Sequence, residues 1–166
     1  MFGTEFLQFK LMRPGAALPV RATDGSGAFD FVSPEDGFLD PGEKRLFPSG
    51  IAHDMPGELT LRLNVGSPNG FKALEVPFKL QGILFDRSGL GGKKGIRLSF
   101  ACLIDNDYRG EILLSLENHS PNPFSWKRGD RLCQIAYVLM YAGPSAETYT
   151  LSETNRGAGG FGSTGK

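Results

Sequence analysis

A chain of 166 residues fits one domain and is long enough to bury a sizeable core. Its 18 basic and 18 acidic residues give a formal net charge of zero, which argues against general DNA or RNA binding. The sequence shows no apolar run of membrane-spanning length and no signal-peptide pattern. We therefore expect a soluble, cytoplasmic protein with no membrane contact.

The few cysteines and histidines exclude several chemistries. Cys102 and Cys133 lie in apolar, strand-like runs, which favours reduced thiols over a disulfide framework. With only His53 and His119, a histidine-rich metal cluster is impossible, and the H-x-E and P-C-x-x-C pair of zinc-dependent deaminases is missing. Nothing links either histidine to a nucleophile, so we interpret both as structural or surface residues.

Short alternating segments, separated by many of the 23 glycines and 11 prolines, predict an all-β sandwich or barrel. Every second residue from Leu59 to Val65 is apolar, which predicts a strand with one apolar face. The segment from Ile96 to Asp105 alternates in the same way, with Ser99 and Leu103 on the face opposite its apolar side chains.

A third strand is predicted from Leu132 to Met140, with Gln134 facing away from Cys133 and Ile135. No window shows the period of a long amphipathic helix.

The C-terminal segment from Arg156 to Lys166 reads RGAGGFGSTGK. Its glycines free backbone N–H groups to face an anion, while Arg156, Ser163 and Thr164 offer donors to phosphate oxygens. Phe161 provides a ring that can stack on a base. This composition suggests a flap that closes over a nucleotide, and a mobile glycine-rich tail without a ligand is the alternative.

Five segments in order carry a family resemblance. They are GSGAFDF around Asp30, DRSGL at 86–90, LIDNDYRGE at 103–111, RGDRLCQ at 128–134, and the tail at 156–166. Together they resemble the five motifs of the trimeric dUTPases (deoxyuridine 5'-triphosphate nucleotidohydrolases). The resemblance implies a distorted jelly roll or β-barrel, assembled as a homotrimer in which the C-terminal tail reaches a neighbouring subunit.

The resemblance also divides the chain. Residues 1–155 would form the dUTPase-like β domain and residues 156–166 a flexible C-terminal flap. Residues 66–82 would carry an insertion, with roughly a dozen residues more than many relatives have before the second motif, a length uncommon for a loop without a role. We interpret it as a tolerated surface loop or an extra hairpin. The more specific alternative is an insertion that binds a partner protein.

The implied reaction is hydrolysis of dUTP to dUMP and pyrophosphate, which lowers dUTP and supplies dUMP for thymidylate synthesis. Asp105 would be the catalytic base, since an ionised carboxylate can polarise a water in line with the α-phosphorus. Tyr108 would pack on C2′ of the sugar and exclude a ribose hydroxyl.

The remaining roles also come from the resemblance. Uracil would be read largely by main-chain groups of a hairpin from Ser99 to Asp105 and its returning strand near Leu113. Ser99 and Cys102 stand where many relatives carry Asn and Gly. The residues expected to contact the phosphates are Arg87, Ser88, Gly89, Gln134, Arg156, Ser163 and Thr164. Those expected to contact uracil and deoxyribose are Ser99, Leu103, Ile104, Asp105, Tyr108, Leu113, Phe161 and Gly162. The expected cofactor is Mg²⁺, which Asp30 and Gln134 would contact through water.

Two other functions stay open. A dCTP deaminase shares the nucleotide-binding parts of this fold, although we find no convincing equivalent of its catalytic Glu motif. A regulatory protein could use nucleotide-dependent flap ordering, or the 66–82 insertion, to bind another protein.

Overall fold

The computed structural model describes residues 6–67, 70–99 and 102–159, and it is built almost entirely of strands. One short helix, α1 (Ser88–Lys94), interrupts them. The strands are β1 (Gln8–Leu11), β2 (Ala28–Val32), β3 (Gly37–Leu39), β4 (Lys44–Pro48), β5 (Ile51–Asp54), β6 (Leu59–Ser67), β7 (Gly70–Asp86), β8 (Ile96–Leu98), β9 (Cys102–Ile104), β10 (Leu113–Asn118), β11 (Phe124–Trp126) and β12 (Arg131–Tyr141).

The strand pairing is nested. β2 pairs with β12, β3 with β11 and β4 with β10, all antiparallel. The first part of the chain therefore wraps against the last part in reverse order, as in a jelly roll. The expected all-β jelly-roll fold is confirmed.

The core lies between the wrapped sheets. Trp126 and Phe47 meet edge to face with ring centroids 4.7 Å apart. The indole N–H of Trp126 donates to the Ser33 hydroxyl at 3.0 Å, so the one polar atom of this buried ring is paired. A Cβ at Gly37 would lie 2.2 Å from the Trp126 ring, so only glycine fits there. The most deeply buried apolar side chains are Phe31, Leu39, Ile51, Met55, Ile96, Ile112, Leu114, Leu116, Cys133 and Ile135.

The expected single strand from Ile96 to Asp105 is wrong. It is divided into β8, which pairs with β10, and β9, which pairs with β7. The chain bends at Ser99, whose N–H still donates to Ser115 O at 2.8 Å before the segment moves to the other sheet. Among the described residues β9 and β10 are not hydrogen-bonded to each other, and the reading of uracil by this segment stays a prediction.

Residues 66–67 and 70–82 lie in the paired strands β6 and β7 rather than in an irregular loop. β6 pairs with β7 from Leu59↔Phe78 to Ser67↔Gly70, whereas β12 ends beside Phe78 at Tyr141. We call residues 59–78 the β-arm, because this hairpin extends beyond the strand that flanks it. The predicted alternation of β6 is confirmed, but its apolar side chains are 41% to 48% exposed.

No helix among the described residues is long and apolar enough to cross a membrane. Within the same residues, no group of three or more His, Cys, Asp or Glu side chains is arranged to hold a metal ion.

Candidate active site

A pocket of about 220 Å³ opens where β9 ends and β10 begins. Asp105 directly follows β9, and its side chain is exposed. Its carboxylate has no hydrogen bond or ion pair within the described part of the chain, so it is available to a ligand or water. The pocket is lined by Leu103, Ile104, Asp105, Tyr108, Ile112 and Leu113. All of these except Ile112 were predicted from the family resemblance.

A tight turn places Tyr108 over the pocket. The Tyr108 N–H donates to Asp105 O at 3.1 Å, and the Tyr108 hydroxyl donates to Glu111 O at 2.9 Å. The ring lies against Gly110, where a Cβ would come within 2.4 Å of the tyrosine oxygen. Glycine in this position therefore lets the tyrosine ring fold back over its own turn. Tyr108 is 42% exposed.

The turn is attached to the rest of the fold by two polar side chains. The Asn106 amide donates to Pro56 O at 2.9 Å and to Leu80 O at 3.1 Å. Arg109 donates to Asn106 O at 2.6 Å and forms a 2.6 Å ion pair with Asp54. Sequence reasoning did not find Asn106, because its partners are backbone groups that carry no sequence signal.

Glu111 holds the far end of the turn. Its carboxylate accepts two hydrogen bonds from the Arg13 guanidinium, at 2.7 and 2.6 Å, and one from the Gly50 N–H at 2.8 Å. The bonds from Arg13 lower the pKa of Glu111, against a smaller opposing effect of burial, and the Gly50 bond lowers it further. The turn is thus anchored to the N-terminal segment and to the loop before β5.

A second polar cluster lies at the C-terminal end of β7. Asp30 is only 6% exposed, and its two oxygens accept from Arg87 Nε at 3.0 Å and from Arg131 Nη1 at 2.9 Å. Gln134 is the cross-strand neighbour of Asp30, and its amide nitrogen donates to Asp86 O at 2.9 Å. The structure therefore brings together the predicted residues of the first, second and fourth motifs.

This donor set fits water-mediated contact with a metal better than direct coordination. Each Asp30 oxygen already accepts one N–H, so each keeps a position for a further donor such as a metal-bound water. The Gln134 amide oxygen has no protein partner among the described residues. Mg²⁺ keeps several of its waters, and these two residues can accept hydrogen bonds from them.

Ser88 and Gly89 follow Arg87 in the first turn of α1, and both are exposed. A Cβ at Gly89 would meet no atom within 4 Å, so open space lies over this backbone. An anion could approach it closely.

The two halves of the candidate site are separate within one chain. Ile104 lies opposite Gly82, so the next residue, Asp105, lies beside Gln81. Arg87 is six residues further along the same extended direction, which corresponds to roughly 20 Å at ~3.3 Å per residue. One chain therefore does not place Asp105, the predicted base, beside its own predicted phosphate-binding residues at 87–89.

The other predicted site residues have different outcomes. The Ser99 hydroxyl is hydrogen-bonded to the Ser115 hydroxyl and does not line the pocket. Arg156 is exposed and donates to Gly159 O at 3.0 Å. The side chain of Cys102 lies outside the described residues, as do Phe161, Gly162, Ser163 and Thr164.

An open, mostly apolar pocket lies beside a carboxylate that has no partner among the described residues, and two arginines cluster at the end of the same sheet. This arrangement fits a nucleotide-binding enzyme of the all-β class. Comparison with known proteins gives the family. The family model described as dUTPase matches residues 71–165. The deoxyuridine 5'-triphosphate nucleotidohydrolase of Nautilia profundicola is 35% identical over 161 residues, covering 96% of this chain and 99% of the relative. That of Methylococcus capsulatus is 35% identical over 152 residues, covering 90% and 87%. The chain belongs to the dUTPase family.

Solved structures agree with the fold. The dUTPase of Staphylococcus bacteriophage 80alpha with dUPNHPP has a TM-score of 0.78 at 22% identity, covering 98% of this chain and 100% of that chain. A mutant dUTPase from phage phi11 of S. aureus, which coordinates a structural Mg(II) ion, has a TM-score of 0.71 at 18% identity, covering 90% and 100%. Both are too distant in sequence to establish more than the architecture.

Proposed function

We propose that the chain hydrolyses dUTP to dUMP and pyrophosphate by using Asp105 to hold and deprotonate the water that attacks the α-phosphorus. The reaction lowers dUTP and supplies dUMP for thymidylate synthesis. The observation that carries this assignment is the exposed carboxylate of Asp105, which lines one pocket together with Tyr108 and has no partner among the described residues. An ionised carboxylate so placed is the right group for general-base catalysis.

The pocket would hold the nucleoside. Main-chain groups of Leu103, Ile104 and Leu113 would face the uracil edge, and the narrow space between them would exclude a 5-methyl group. The Tyr108 ring would pack on C2′ of the sugar, so that a ribose hydroxyl would collide with it. The hydrogen bond from the Tyr108 hydroxyl to Glu111 O supports this role, because a fixed ring excludes an atom more strictly than a mobile one.

The arginine cluster would hold the phosphates. Ser88 and Gly89 would contact oxygens around the α- and β-phosphates, with Arg87 supplying positive charge. Asp30 and Gln134 would hold waters of a Mg²⁺ ion that arrives with the triphosphate. When bound, the ion would supply positive charge to offset that of the phosphates.

A second copy of the chain would complete each site. The separation of roughly 20 Å between Asp105 and Arg87 supports a homotrimer in which neighbouring subunits contribute different motifs. The β domain of residues 1–155 would form the body of each subunit. The flap of residues 156–166 would then close over a neighbour's nucleotide and exclude bulk water. In that flap Phe161 and Gly162 would cover the uracil, while Arg156, Ser163 and Thr164 would hold the γ-phosphate.

Replacing Asp105 tests the proposal directly. Pyrophosphate release from each deoxynucleoside triphosphate, with and without Mg²⁺, should be fastest for dUTP with Mg²⁺. Asp105→Asn should lose at least ~10²-fold in kcat, because the amide cannot accept the proton of water. Asp107→Asn changes a second exposed carboxylate of the same turn and should leave kcat nearly unchanged. Normal turnover by the Asp105 variant would remove this residue as the base, and ammonia release from dCTP would indicate the deaminase instead.

Protein binding through the β-arm is a second candidate that can coexist with hydrolysis. The exposed apolar face of β6 favours it. Pull-downs with and without nucleotide should use the native chain, a Leu61→Asp variant on this face and a Thr60→Asp control on the opposite face. A partner that both variants retain would not be bound by the apolar face.

A further inference from the structure

We propose that Asn106 is a positioning residue that holds Asp105 in place by anchoring its turn to the root of the β-arm. This inference rests on the proposed function of Asp105 as the base. It assigns a role in catalysis to an adjacent side chain that would not itself touch the nucleotide.

The anchor joins three parts of the fold. Pro56 lies in the connection from β5 to β6, and Leu80 lies within β7, so these carbonyls flank the β-arm, one just before it and one just after it in the chain. Asn106 Nδ2 donates to both of them, at 2.9 and 3.1 Å. One amide group therefore ties the catalytic turn to both chain segments that flank the β-arm.

The strand register explains why a side chain is needed there. Along one edge of β7, pairing with β6 stops at Phe78 and pairing with β9 starts at Gly82. Leu80 lies in the gap between these two ladders. Asn106 fills the gap by giving the Leu80 carbonyl a donor that neither strand supplies.

The chemistry of the side chain is specific. Both bonds use the same amide nitrogen, which carries two hydrogens and can serve two acceptors. A carboxylate would bring only acceptors towards two carbonyls, and a serine hydroxyl could donate to one carbonyl at a time. Only an amide of this length satisfies both partners from this position of the turn.

Asp105 depends on this anchor because its own carboxylate has no hydrogen bond or ion pair among the described residues. The backbone of the turn therefore sets where the carboxylate lies. Arg109 supports the same turn by donating to Asn106 O at 2.6 Å. Catalysis is sensitive to such support, since a displacement of about 1 Å can cost roughly 10²-fold in rate.

The test compares kcat and KM for dUTP in a graded series. Asn106→Ala should lower kcat by about 10- to 100-fold, while KM changes by less than about threefold, because the pocket walls and the phosphate cluster stay intact. Asn106→Ser retains one donor, so its kcat should lie between those of the native protein and the Ala variant. Asn64→Ala removes the same side chain from an exposed place on the β-arm and should leave kcat unchanged.

A double-mutant cycle separates positioning from general stability. If Asn106 acts through Asp105, then adding Asn106→Ala to Asp105→Asn should cause little further loss of kcat. An equal further loss in that background would overturn the inference, and so would a kcat within twofold of native for Asn106→Ala alone. A normal kcat for Asp105→Asn would instead show that the base is misassigned. The two failures are therefore distinguishable, and Asn106→Ser keeps the test valid if the Ala variant does not fold.

Discussion

The buried imidazole of His53 should make the stability of the fold depend on pH in a defined window. His53 is 2% exposed, and its Nδ1 is hydrogen-bonded to the Tyr137 hydroxyl at 2.9 Å. Its Nε2 is buried without a hydrogen-bond partner among the described residues. Burial lowers the pKa of His53 from 6.5 to about 4, with a smaller contribution from the nearby Arg109 and an opposing one from Asp54. Burial also raises the pKa of Tyr137, so the pair is neutral at pH 7.

The size of this pH dependence follows from the pKa values of His53 in the unfolded and folded protein. A fall from 6.5 to about 4 is equivalent to roughly 3 kcal/mol of unfolding free energy for one group. Below pH 6.5 the unfolded chain binds a proton that the folded chain does not bind. The contribution of neutral His53 to the unfolding free energy is therefore complete above pH 6.5 and is lost progressively as the pH falls to about 4.

Urea unfolding of the native protein and of His53→Asn, at several pH values from 7.5 to 4, measures this contribution. Asparagine does not titrate and keeps a polar group near the Tyr137 hydroxyl. The unfolding free energy of the variant should fall less than that of the native protein between pH 6.5 and 4, by up to about 3 kcal/mol. Carboxylates titrate in both proteins, so only the difference between them reports His53. Parallel pH curves would refute the reasoning.

Three further outcomes are expected. Tyr108→Ala should narrow the preference for dUTP over UTP in competition kinetics while rejection of dTTP persists, and loss of both preferences would mean that the tyrosine supports the whole pocket. Gly110→Ala should narrow the same preference without removing the tyrosine, because the new Cβ would lie 2.4 Å from the Tyr108 oxygen and displace the ring; unchanged selectivity would show that the ring position does not matter. Truncation before Arg156 should leave a folded oligomer by light scattering but greatly reduce hydrolysis, whereas full activity would identify the segment as a tail without function.

Local pattern was sufficient to predict much of the site. The order of the motifs identified Asp105 and Tyr108, which line one pocket. The alternation of β12 placed Gln134 on the face away from the fully buried Cys133 and Ile135. These predictions succeeded because strand alternation and turn sequences are determined by residues close together in the chain.

Contacts between distant segments could not be predicted in this way. Arg131 pairs with Asp30 across 101 residues, and Asn106 reaches Pro56 across 50. The division of the Ile96–Asp105 segment depends on a bend at Ser99 that leads the chain from one sheet to another. The apolar stripe of β6 was correctly assigned to one face, but alternation alone does not tell whether a face is covered.

The nested pairing has a consequence for how the chain folds during synthesis. Strands β2, β3 and β4 find their partners in β12, β11 and β10, so they stay unpaired until the last third of the chain has been made. The hairpin of β6 and β7 joins neighbouring segments and can close in microseconds, whereas pairing of distant strands carries a larger loop-closure cost and is slower. A ribosome-bound fragment ending near residue 95 should therefore protect amides of β6 and β7 from hydrogen exchange while those of β2 to β4 exchange freely. Until β12 emerges, the open edges of those early strands are the part of this protein most exposed to misassembly.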